Sequence, residues 1–230
     1  MSSVEFIAAV KSAISGLLST ELISAFVGAI IGGYFTRNAT AKAHEYATQK
    51  SINDELTTTK NTLKLIKAEI NTAWDIYKFE YGDELLKLPQ GAAFIFTLPI
   101  GDNPFPIYDS APSCLANTDP FTSAKIVRMY MRAKGLITMI KLNNSDCETI
   151  CNAGRYATQN LVNKAITESQ TIDEEGARRI NDYYNFYIEQ EAKKLNMGNT
   201  ADGMKTLTTE LELLLSEINN DINGLTAHSN

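Results

Sequence analysis

The sequence predicts a mostly α fold. An N-terminal amphipathic and then transmembrane helix continues into a long helix, which packs with a helical bundle and a small β-hairpin or extended loop. Three observations predict it. Residues 22–35 carry no charge and include Gly28, Gly32 and Gly33; no proline or glycine interrupts residues 34–81; and from residue 122 onward apolar side chains recur at helical spacing. The expected organisation is an amphipathic helix over 1–19, a glycine-rich membrane helix over 20–36, a stalk helix over 37–86, and a cytoplasmic helical domain over 87–230 with the hairpin or loop near 92–110.

Residues 3–18, SVEFIAAVKSAISGLL, place Val4, Ile7, Val10, Ile14, Leu17 and Leu18 along one stripe, the pattern of a helix that lies in a membrane surface. A cleavable signal peptide is not expected, because Lys11 stands alone and Glu5 precedes it. The uncharged run 22–35 spans about 21 Å as a helix, short of the ~30 Å hydrocarbon core. Extending it backward draws Glu21 into the apolar zone, where an acid costs roughly 2.5–3.5 kcal/mol at mid-bilayer. Glu21 is therefore expected at the interface, or facing a pore or a partner. Ser24, Gly28 and Gly32 form a ridge of small residues, with Ala25, Ala29 and Gly33 beside it, which lets helix backbones approach closely. That ridge predicts self-association, as a dimer or a larger ring. Arg37, Lys42 and Lys50 follow the run while Lys11 alone precedes it, so the positive-inside rule places the C-terminal part in the cytoplasm. A buried helix of a protein that is soluble before triggering is the alternative for so short a run.

Beyond the run, Ile52, Leu56, Thr59, Leu63, Ile66, Ile70, Ala73 and Tyr77 alternate at heptad spacing. Two readings stand for this seam: an intermolecular coil, or packing on the other helices of the same domain. Pro89-Gln90-Gly91 ends the helix, and GDN separates AAFIFTLPI from PFPIYDS, the signal for a hairpin or an ordered extended loop. Phe94, Phe96, Phe105 and Tyr108 in this segment are candidate partner-binding residues, with packing onto the core as the alternative. Later helices are expected over 122–142, 145–168, 173–195 and 200–222, broken at Asn143-Asn144, near 170–173 and at Met197-Gly198-Asn199.

Charge and motifs exclude several classes. The formal charge of -6 and the pI near 5.1 argue against nucleic acid as a partner. The three cysteines, Cys114, Cys147 and Cys151, read as buried thiols of a reducing compartment, since His44 and His228 stand at no metal-ligand spacing from them. No phosphate loop, GxGxxG, GxSxG or HExxH motif occurs. Neither an enzyme nor a cofactor or metal is expected.

The block ELISAFVGAIIGGYFTRNATAKAHE, residues 21–45, and the stretch MYMRAKGLITMIKLNN, residues 129–144, resemble small bacterial proteins with one membrane helix and a helical cytosolic domain. Some of these resemble prophage-encoded phage-defence effectors that form pores. The resemblance implies a membrane-disrupting effector of a bacterial inner membrane that oligomerises on sensing a phage structural component, with the lipid bilayer and further copies of itself as partners. The alternative is a passive membrane-anchored adaptor whose helical domain docks a cytosolic protein.

Overall fold

The computed structural model describes residues 4–8, 11, 20–168 and 173–227, and the chain divides into two units, Met1–Thr57 and Thr58–Asn230. The described residues are 86% helix with no strands, so the mostly α class holds and the β-hairpin does not form.

In the first unit, residues 4–8 are helical, with Val4, Phe6 and Ile7 exposed. Val10, Ile14, Leu17 and Leu18 of the expected amphipathic stripe lie outside the described residues. Helix α1 (Thr20–Tyr77) begins in this unit. Ala25, Gly28, Ala29 and all of residues 31–57 are exposed. The transmembrane expectation is corrected here, and with it the inner-membrane placement. Among the described residues no helix is long and apolar enough to cross a membrane. The physical reason is length: the uncharged run is bounded by Glu21 and Arg37, and polar side chains continue from Asn38 onward. Residues 22–35 span about 21 Å, short of the ~30 Å of hydrocarbon.

In the second unit the seam of α1 turns to a core of its own. Thr59, Leu63, Ile66 and Ile70 are buried, whereas Ile52 and Leu56 of the same row are 46% and 51% exposed. From Thr59 on, the seam therefore packs within the domain. A π-turn (Lys78–Gly82) interrupts the helix before α2 (Asp83–Lys87), which ends as Leu88 becomes extended ahead of Pro89. Residues 92–105 run extended without pairing into strands, followed by the short helices α3 (Pro106–Asp109) and α4 (Pro112–Ala116). Pro99, Pro104 and Pro106 lack the N–H that a ladder needs.

Helix α5 (Pro120–Thr167) starts on the Asp119 side chain, which accepts hydrogen bonds from the N–H groups of Phe121 and Thr122 at 3.0 Å. It runs without the break expected at Asn143-Asn144. These asparagines instead reach sideways to the extended segment. Asn144 accepts from the Leu98 N–H and donates to the Leu98 carbonyl at 2.9 and 2.7 Å, while Asn143 donates to the Phe96 carbonyl at 2.8 Å. Two amide side chains thus satisfy backbone groups that a second strand would otherwise satisfy.

Asp173 caps α6 (Glu174–Lys194) through the Gly176 N–H. Helix α7 (Met197–Ala227) follows, and the break falls at Asn196, in the left-handed region at φ 58°, rather than at Met197-Gly198-Asn199. Gly198 lies against Gly91, where an added Cβ would stand 2.1 Å from the Gly91 carbonyl oxygen. Helix α5 packs against both α6 and α7. Polar bridges between Lys67 and Asn223, Asn71 and Asn219, and Tyr77 and Thr208 set α7 antiparallel to the C-terminal part of α1. Ion pairs of Lys125 with Asp221 and of Arg132 with Glu210 set it antiparallel to α5 as well. Leu211, Leu214, Leu215, Ile218 and Ile222 of α7 fill the space between.

Candidate functional site

The second unit contains an apolar cleft of about 400 Å³. One wall is the last helical turn of α1 and the π-turn, with Trp74, Tyr77, Glu80 and Tyr81; the opposite wall is α5, with Ala133, Ile137 and Ile140. The extended segment closes one end with Ile100 and Phe105. The π-turn gives the first wall its shape. A wider turn delays the rotation of the side chains, so Tyr77, Tyr81 and Leu85, spaced four apart, all face the core. Segments of this kind are frequent at functional sites.

A carboxylate holds the closing segment in place. Glu69 of α1 accepts hydrogen bonds from the N–H groups of Ile107 and Tyr108, at 2.7 and 3.1 Å, and from the Tyr130 hydroxyl at 2.8 Å. Tyr108 stacks on Tyr130 with ring centroids 3.7 Å apart, and Phe105 meets the same ring edge-on at 4.9 Å. Burial, followed by the bond to Glu69, drives the Tyr130 phenol far above its ordinary value, so it stays a neutral donor. Lys134 lies over the Tyr108 ring and pairs with Asp109 at 2.8 Å.

The aromatic residues singled out in the sequence therefore divide. Phe94 and Phe105 are buried in the core, Tyr108 is half-buried in the stack, and Phe96 alone is exposed, at 58%. They build and close the domain rather than forming one exposed partner-binding edge. Glu21 and Ser24 lie in the helical backbone of α1. Gly28, Gly32 and Gly33 have open space where a side chain would project, and Ala25 and Ala29 are exposed beside them.

The thiols are quiet. Cys114 and Cys147 are buried, and all three cysteines are free. Burial pushes the Cys147 thiol up to about 11, which keeps it protonated at neutral pH. The Cys114 thiol is also raised by burial and donates to the Thr59 carbonyl at 3.5 Å. Among the described residues no group of His, Cys, Asp and Glu side chains is placed to hold a metal ion.

Sequence inspection missed Glu69, Trp74 and the two asparagines as organisers of the cleft. The available signal was an acid directly before the seam residue Ile70, and the only tryptophan of the chain three residues before Tyr77. No protein family, curated protein or solved structure matches this chain.

Proposed function

We propose that this chain is a non-enzymatic effector that works by self-assembly through the N-terminal part of α1. One observation carries the reading: residues 31–57 are exposed throughout, yet they include Ile31, Tyr34, Phe35, Tyr46, Ile52 and Leu56. Burying each such side chain contributes about 1.5–3 kcal/mol. A second copy supplies that burial, and the open glycines at 28, 32 and 33 admit a close neighbour. In the setting that the resemblance implies, a phage structural component is the trigger and residues 58–227 are the sensor. Disruption of a bilayer by a single span forms no part of the proposal, since the span is corrected above.

Sedimentation velocity of the full chain over a concentration series tests it, comparing wild type with the double variant Gly28→Leu, Gly32→Leu. A Cβ added at either position meets nothing within 4 Å in the monomer, and leucine is the better helix former by just under about 1 kcal/mol at each site. The monomer is thus expected to keep its fold while the oligomer dissociates. A wild-type chain that stays monomeric at every concentration favours the adaptor reading instead. An oligomer that survives both leucines removes the ridge from the mechanism.

A further inference from the structure

We propose that the cleft between α1 and α5 binds a small amphiphile bearing a single positive charge. Its apolar body would lie against Trp74, Ile100, Phe105 and Ile137, with its cationic group at Glu80. This goes beyond the assembly reading and does not depend on it.

The volume of about 400 Å³ falls within the ~300–1,000 Å³ usual for ligand sites, and the walls are almost wholly hydrocarbon and aromatic ring. The polar content is what selects the ligand. Glu80 is the only charged side chain among the lining residues, it is exposed, and among the described residues it forms no ion pair. The nearby cation, Lys78, sits 5.7 Å from the Trp74 ring centroid but is held by Glu212 at 3.0 Å and Asp83 at 3.6 Å. An anionic head group would therefore meet a bare carboxylate with no free cation to offset it, whereas a cationic head group would gain a partner. The Tyr77 hydroxyl is engaged with Thr208 at 2.6 Å, and Tyr130 with Glu69, so the deeper polar atoms do not call for a polar ligand. The π-turn is the second, independent feature, because it places both Glu80 and Tyr81 on the wall of the cleft.

Trp74 is the only tryptophan, so its fluorescence reads the cleft directly. The full chain is titrated at neutral pH with decyltrimethylammonium and, separately, with decanoate, both below their micellar concentrations, while far-UV circular dichroism follows the fold. The expected result is a saturable shift of Trp74 emission at constant helicity. The cation should half-saturate at a concentration roughly three- to tenfold lower than the anion, the scale of a partly exposed charge pair. Glu80→Gln, at an exposed position, should bring that ratio to about one. Ala133→Phe, which fills the cleft, should remove the saturable response to both probes. The proposal is overturned by no saturable response, by equal affinity for the two ions in wild type, by a ratio that survives Glu80→Gln, or by emission changes that track a loss of helicity.

Discussion

Replacing Glu69 with alanine removes one acceptor group and strands three donors. The N–H groups of Ile107 and Tyr108 and the hydroxyl of Tyr130 all converge on that carboxylate within 3.1 Å. Each donor left without a partner costs about 1–3 kcal/mol when buried. Ile107 and Tyr108 are half-buried and water can partly replace the lost acceptor, so each stands near 1 kcal/mol; Tyr130 is 1% exposed and stands higher. The expected loss is about 3–4 kcal/mol, a large fraction of the ~5–15 kcal/mol that holds a domain together. Urea unfolding followed by Trp74 fluorescence and by circular dichroism measures it. Tyr130→Phe removes only the third bond and should cost about 1 kcal/mol. Because the two groups share that bond, the double variant should cost about 1 kcal/mol less than the sum of the singles. A loss below about 1 kcal/mol for Glu69→Ala, or strict additivity in the cycle, would refute the view that this carboxylate latches the segment that closes the cleft.

Three further outcomes follow from local geometry. Gly198→Ala puts a Cβ 2.1 Å from a backbone oxygen, that of Gly91, and should cost near the upper end of the about 1–3 kcal/mol usual for overpacking; Gly203→Ala meets only the mobile end of Met139 at 2.3 Å, gains helix propensity, and should be near neutral in the same unfolding assay. Hydrogen bonds led by the Thr122 N–H hold the Asp119 carboxyl below its ordinary value of 3.8, so the stabilisation from this cap is complete above that value and fades as pH falls through the lowered folded-state value. Asp119→Ala should therefore cost about 1 kcal/mol at pH 7 and progressively less in acid, and a penalty that grows on acidification would count against the cap.

The same residues show how far the sequence could be read. The seam from Thr59 to Ile70 was legible because helical periodicity is a local property that burial rewards directly. Asp173 was legible as a helix start for the same reason, since a cap acts over three residues. Asn143-Asn144 misled, because asparagine favours turns locally while here its amides serve a segment some 46 residues away. The hairpin misled because alternating apolar runs around a turn describe a strand without naming what satisfies its backbone.

By itself, then, the sequence determined the mostly helical class, the register of the core rows, the lack of recognisable catalytic motifs and the ridge of small residues at 24, 28 and 32. Tertiary structure alone decided that the seam packs within its own domain from Thr59 onward. It also decided that Phe94 and Phe105 are core, that one helix runs through Asn143, that Trp74 and Glu80 share a cleft, and that Glu69 latches the segment that closes it. The physical reason is range. Periodicity and capping act within a few residues of the chain, whereas a cleft and the latch that closes it are made by groups brought together from α1, the extended segment and α5.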